Sequence, residues 1–222
     1  MSNFAKIMDL VRIPEHSDWI VVLLLGSIVL YIVMLQELQR GATLRDFVLQ
    51  GMADRSNLFP SWLLVSLVHV VMLSALLSQF VPILPRSVER FSVFGWSLNK
   101  FGYTFWIIAL FYLVKTVFSY LFYAFIGQLN RFKKLYFTAS KFYFILTLIL
   151  MVAVFVKFYV EADQFLFFNI ILITAAATFS AKILFYLFHR SGVLPREWYY
   201  KILYICTLQF APMLALWQLL FF

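Results

Sequence analysis

The chain reads as an all-α, polytopic integral membrane helix bundle, and three observations predict it. Six long apolar runs fill most of the 222 residues. Hydrophobic residues make up 64% of the chain and charged residues only 13%, against roughly a quarter charged in a soluble domain. The runs are continuous rather than alternating, which favours helices over barrel strands. No polar segment is long enough for a separate soluble domain, so residues 1–222 are expected to form one integral membrane domain.

A helix needs about 20 mostly apolar residues to cross the hydrocarbon. The first run, 19–35, is slightly short but uncharged, and no small-residue cleavage site follows it. It therefore reads as a retained span rather than a signal peptide. The second, 62–84, ends at Pro82 and Pro85. The third, 101–126, contains Lys115, and the fourth, 142–160, carries Lys157 near its end. The fifth, 165–188, contains Lys182, and the sixth runs over 202–222.

Short connections make sequential helices antiparallel neighbours, and lysine and arginine counts at the span ends orient them. The first, third and fifth loops hold ten: Arg40, Arg45 and Arg55, then Arg131, Lys133, Lys134 and Lys141, then Arg190, Arg196 and Lys201. The opposite side holds five, namely Lys6, Arg12, Arg86, Arg90 and Lys100. Both termini are thus expected outside, with loops 36–60, 127–141 and 189–201 cytoplasmic. Glu161 and Asp163, in a loop without basic residues, suit translocation.

Within the first loop, Thr43 and Asp46 have capping-box spacing, with Asp in place of the usual Glu or Gln. Leu44, Phe47, Val48, Gly51 and Met52 then share one face, and Arg45, Asp46, Gln50 and Asp54 occupy the others. This predicts a short interfacial amphipathic helix; the same periodicity equally suits a helix packed under the bundle. Trp19, Trp62 and the aromatic cluster 198–200 stand at the levels where amphipathic rings anchor spans. The loop 86–100 is half apolar (Phe91, Phe94, Trp96) and lies in the outer interface or dips inward.

The net charge of +8 is spread over short loops, where it sets topology and meets anionic lipid headgroups rather than nucleic acid. Cys206 is the single cysteine, so an intrachain disulfide is impossible. It falls in an apolar run and is expected to be a buried small hydrophobe.

Lys115 is the residue out of place. It lies about 16 Å from residue 126 at the helical rise and about as far from residue 101, near the middle of a core some 30 Å thick. A charge there costs about 2.5–3.5 kcal/mol on insertion scales. All ten acidic residues lie outside the six runs, so no carboxylate of the runs can pair with it. Helix carbonyls, tyrosine hydroxyls, loss of its proton, an anionic ligand, or an acid on a partner subunit remain. Lys182 and Lys157, nearer the surfaces, are expected to snorkel. His69 and Gln209 fall at a similar depth, and Tyr112 shares a face with Lys115 at three-residue spacing. These residues form one polar cluster, or His69 and Gln209 simply bond neighbouring backbone.

His16, His69 and His189 have no metal-like spacing, and no cofactor motif, paired Asp motif, nucleophile elbow or phosphate loop is present. The expected metal and cofactor complement is none. The last run reads Leu203-Tyr204-Ile205-Cys206-Thr207-Leu208-Gln209-Phe210-Ala211-Pro212-Met213-Leu214. It resembles the C-terminal LYLCTLEILPL-like signature of a family of multi-pass membrane proteins from Bacteroidota, a domain of unknown function. Lys115 before an aromatic-rich helix end and the aromatic span from Lys141 to Lys157 look similar as well. Where that family commonly shows Glu, this chain has Gln209. The resemblance implies a bacterial cytoplasmic (inner) membrane and brings no activity.

The foremost functional expectation is a non-enzymatic subunit of a cell-envelope transport, secretion or assembly system. In it Lys115 pairs with an anionic lipid or a carboxylate of a membrane-protein partner. A carrier or flippase for an anionic lipid or small anion stands next, and a lipid-modifying enzyme last.

Overall fold

In the computed structural model the residues described are 18–38, 43–49, 58–81, 92–93, 96–97, 99–160, 164–188, 194–195 and 197–221. Six helices among them are long and apolar enough to cross a membrane: Asp18–Leu38, Phe59–Leu77, Lys100–Phe125, Leu129–Tyr159, Phe165–Tyr186 and Trp198–Leu220. These are the first to sixth spans below. Leu110, Ile173 and Leu214 are among many large apolar side chains that they turn outward. Water would drive such surfaces together, whereas hydrocarbon matches them. The chain is an all-α polytopic bundle.

The bundle is organised around the second and fourth spans. Ser61, Val65, Val68, Met72 and Leu76 are buried along one stripe of the second. Phe137, Ser140, Phe144, Thr147, Met151 and Val154 are buried along the fourth. Both stripes advance in steps of three and four residues, the seam that lets two helices interdigitate at a shallow crossing angle; the two run parallel, Trp62 meeting Tyr136 at one end and Phe80 facing Lys157 at the other. Serine and threonine in the seam let the backbones approach, which matters where lipid tails remove the hydrophobic drive between helices. The first span adds Ile20, Tyr31 and Met34 to this core, and Tyr31 meets Phe144 with ring centroids 4.8 Å apart.

The first span runs on to Leu38 and the sixth begins at Trp198 rather than 202, but the largest differences from the expected bounds are in the second and fourth spans. The second span begins earlier than 62 and its helix stops at Leu77, seven residues short of 84, passing into turns through Val81. Pro82 explains the stop: it lacks an N–H and disfavours helix in the residue before it. The fourth begins at Leu129 rather than 142. The charges of 131–141 suggest a loop, yet no glycine or proline interrupts 129–159 and the helix runs through.

The tight link between the third and fourth spans is made by Gly127, whose φ is +71°. The Gly127 N–H donates to the Ala124 carbonyl at 3.0 Å and that of Gln128 to the Tyr123 carbonyl at 2.9 Å. This is the Schellman pattern, and it turns the chain straight into the next helix. In the loop before the third span, Ser92–Val93 pairs antiparallel with Trp96–Ser97, a short ladder that apolar content alone did not reveal.

The short helix Leu44–Leu49 has the expected cap. The Asp46 N–H donates to Thr43 Oγ1 at 3.2 Å, and the Thr43 hydroxyl and N–H donate to Asp46 Oδ2 at 2.6 and 3.2 Å. Those bonds, the hydroxyl first, hold the Asp46 carboxyl below the usual carboxylate range. Their stabilisation is therefore present above the carboxyl's unfolded pKa and is lost as pH falls through the lowered one. Of the apolar face, Phe47 is fully buried against Phe144 at 4.8 Å while Leu44 stays exposed. The helix is thus pinned to the bundle by the Phe47 ring, with Val48 packed partly buried beside it. Gly51 and Met52, also assigned to that face, lie outside the described residues, as do Asp54, His16, His189 and the Glu161–Asp163 loop.

Replacing Gly127 by Ala tests the link. A Cβ there meets nothing within 4 Å, so the cost is backbone alone, about 1–2 kcal/mol for a left-handed L-residue. A lowered thermal midpoint in detergent is expected, with Gly127→Asn losing less; an unchanged midpoint for Gly127→Ala would remove the role assigned to this turn.

Candidate functional site

Intramembrane polar side chains from five spans line or adjoin one cavity. Lys115 of the third span donates from Nζ to Gln209 Oε1 of the sixth at 2.8 Å. Gln209 is held in turn by its Nε2, which donates to the Tyr204 hydroxyl at 3.4 Å. Gln209 points inward because the sixth span is not a continuous α-helix. Pro212 cannot donate to the Leu208 carbonyl and crowds it, and the chain relieves this with a π-helical turn over Cys206–Phe210. There the Ala211 N–H reaches back five residues to the Cys206 carbonyl. Such turns rotate the following side chains and recur at functional sites. The same turn leaves Cys206 exposed, not buried as expected from its apolar surroundings.

His69 of the second span is buried in the seam. Its Nδ1 lies 3.1 Å from Thr147 Oγ1 and its Nε2 3.1 Å from the Tyr112 hydroxyl. The proton positions follow from the partners. Thr147 spends its hydroxyl proton on the Tyr143 carbonyl at 2.6 Å, so toward His69 it can only accept. Nδ1 therefore carries the proton, and in neutral His69 the Nε2 accepts from the Tyr112 O–H.

Lys182 of the fifth span is 7% exposed, so it does not snorkel. Its Nζ donates to the Tyr143 hydroxyl at 2.8 Å and faces the rings of Tyr143, Phe142 and Tyr186 at 4.6, 5.8 and 5.7 Å. An aromatic cage of this kind offsets part of the cost of removing an ammonium from water. Lys157 is half-buried between Phe80 and Phe167, with its Nζ 5.6 and 5.4 Å from the ring centroids.

Between the second, third and fourth spans lies a cavity of about 410 Å³. Lys115, Lys182, Tyr112, Tyr143 and Gln209 all line it, while His69 stands behind Tyr112. No carboxylate is among its lining residues. Both ammonium groups line this one cavity, and like charges repel far more strongly in a medium this poor in water than in bulk. An anion placed between them would relieve that repulsion. Among the described residues no three His, Cys, Asp or Glu side chains gather as metal ligands would.

Of the five residues expected from sequence, Lys115, Lys182, Tyr112 and Gln209 thus share one cavity, and His69 bonds to its wall. His69 and Gln209 bond to side chains of other spans rather than to neighbouring backbone. Tyr143, Thr147 and Tyr204 went unforeseen. Tyr143 and Thr147 stand four residues apart on one face of an otherwise apolar span, a spacing that marks a shared polar face. Proline at 212 within a span was the available sign of the π-turn.

A family model described as a domain of unknown function (DUF4271) matches residues 19–220. No curated protein and no solved structure matches the chain.

Substituting His69 by Ala removes the acceptor of the Tyr112 O–H and the donor to Thr147 Oγ1, which keeps its bond to the Tyr143 carbonyl, at about 1–3 kcal/mol for each bond lost in a dry seam. Thermal unfolding in detergent should drop accordingly. Adding Tyr112→Phe and Thr147→Val to His69→Ala should cost less than the sum of the separate losses; strict additivity would mean that the three groups do not act as a unit.

Proposed function

The chain belongs to that family of unknown function over nearly its whole length, and since this membership names no activity we propose a function from the cavity: non-enzymatic binding of an anionic lipid or small anion within the membrane, as a carrier or flippase would require. The observation that carries it is the Lys115 ammonium, held by Gln209 in a cavity that contains a second lysine and no lining carboxylate. Such a site attracts a negative head, while its apolar wall, including Leu67, Val70 and Phe105, suits hydrocarbon.

A second reading is a subunit of an envelope transport, secretion or assembly system, with a membrane-protein partner. It draws on the fifth span, which turns Thr174, Ala175, Ala176 and Ala177 outward. Small residues on a lipid-facing helix suit close approach by another helix. It ranks second because Lys115 already has Gln209 and the chain's own cavity, so a partner's acid is no longer required to explain it.

The setting proposed is the cytoplasmic membrane of a bacterium, with Bacteroidota favoured by the segment from Leu203 to Leu214. Both termini are placed outside on the ten-to-five lysine and arginine bias. Single cysteines at Asp163 and Lys133, in a Cys206→Ala background, should label from opposite sides of the membrane. In intact spheroplasts an impermeant reagent should reach position 163 and spare 133; the reverse pattern would invert the topology.

The function is tested with purified full-length protein and added phosphatidylglycerol or phosphatidylcholine. Phosphatidylglycerol should raise the thermal midpoint more than phosphatidylcholine. Lys115→Met should abolish that difference, and so should Gln209→Glu, which offers Lys115 an internal carboxylate while keeping the packing. Equal stabilisation by both lipids in all three proteins would sink the anion reading. A stoichiometric protein partner in native mass spectra, without bound lipid, would favour the subunit reading.

A further inference from the structure

The cavity is open to the lipid side and is itself graded from polar to apolar. Leu63 and Leu67 of the second span line it yet are 51% and 50% exposed, and Leu113 and Val117 of the third line it yet are 60% and 47% exposed. A residue that both lines a cavity and faces outward marks a mouth, and here the mouth lies along the bundle's apolar flank. Read along the third span, the wall passes from Phe105 and Ala109 through the Tyr112 ring to Lys115, Thr116 and Ser119, with Leu113 and Val117 at the mouth. The second span runs antiparallel and agrees, with Val70 toward the apolar end and Ser66 toward the polar one.

We infer that this cavity admits an anionic membrane lipid sideways between the second and third spans, from the leaflet on the Gly127 side, its head at Lys115 and one acyl chain directed toward Phe105 and Val70. This rests on the anion-binding reading and adds the source, the route and the orientation of the ligand. Charge complementarity selects the occupant. The polar end offers two ammonium groups and no carboxylate, and the groove leading from them is apolar and faces hydrocarbon.

Depth selects the leaflet. Ser119 and Lys115 lie six and ten residues before Phe125, about 9 and 15 Å below that end of the helix, and Phe105 lies about 30 Å below it. A lipid of the leaflet at that end already has its head toward Gly127 and its chains toward Phe105. It would enter by moving sideways and about 10 Å inward, with no reversal. A lipid of the opposite leaflet would have to turn end over end.

The test uses the full-length protein in phosphatidylcholine nanodiscs doped with phosphatidylglycerol carrying a photoreactive diazirine. One probe bears it at the end of an acyl chain, the other beside the glycerol ester. After irradiation and peptide mapping, the chain-end probe should mark the segments around Phe105 and Val70, and the ester-side probe those around Thr116 and Ser119. Leu67→Trp with Leu113→Trp, two outward-facing changes that narrow the mouth, should remove both marks while the thermal midpoint is kept. Exchanged marks would overturn the orientation, and marks that survive the narrowed mouth would overturn the route. Absence of both marks from the wild-type cavity, with stabilisation by phosphatidylglycerol intact, would overturn this inference but leave anion binding standing. Equal marking by a phosphatidylcholine diazirine would overturn the charge selection, and with it both the anion reading and this inference.

Discussion

Inside hydrocarbon a polar side chain has no water to fall back on, so it must find its partners within the protein or in what the protein binds. In this chain that requirement draws together five helices. His69 on the second span needs Tyr112 on the third and Thr147 on the fourth. Lys115 on the third needs Gln209 on the sixth, and Lys182 on the fifth needs Tyr143 on the fourth. Each bond crosses from one span to another. The apolar seam between the second and fourth spans brings the helices into contact, but aliphatic surfaces slide past one another with little preference. The polar bonds fix rotation and register.

The network also divides its cations by environment. Lys182 borders the cavity but is enclosed by three rings and a hydroxyl, which offset part of its charge without a ligand. Lys115 has one amide oxygen and opens onto the cavity. The sixth span supplies that oxygen through a local defect in its backbone. Straight α-helix over 206–210 would carry Gln209 round the axis and away from the third span. The energetic cost of the defect is already incurred at Pro212, whose missing N–H no regular helix could use.

How much of this was legible in the sequence depended on the range of the forces involved. Six spans were legible because hydrophobic length is a local property. Thr43 and Asp46 were legible because a cap is made by residues three apart. The depth of Lys115, His69 and Gln209 followed from counting along each run and Tyr112 from its three-residue spacing, whereas Lys182, expected to snorkel, is buried at the same cavity. What the sequence hid were relations between helices. That Tyr143 faces His69 and cages Lys182 depends on how two other spans are rotated. The fourth span's true start was hidden because charges in 131–141 signal water, and a helix that projects into water carries the same charges as a loop. Cys206 was misjudged since apolar neighbours in sequence say nothing of which side of a helix meets lipid.

The length of that fourth span has a mechanical consequence. Its 31 residues extend about 46 Å at 1.5 Å per residue, against a hydrocarbon thickness near 30 Å. A helix of that length outruns the hydrocarbon. Two connections are fastened to it, one by Lys141, which donates to the Val48 carbonyl at 2.7 Å, the other by Arg131, which donates to the Leu194 carbonyl at 2.7 Å. The same stretch of the helix supplies Leu135, Tyr136, Ala139 and Tyr143 to the cavity wall. A force on either connection is therefore delivered to the segment that walls the cavity, so that loops far apart in sequence act on its interior through a single stiff part.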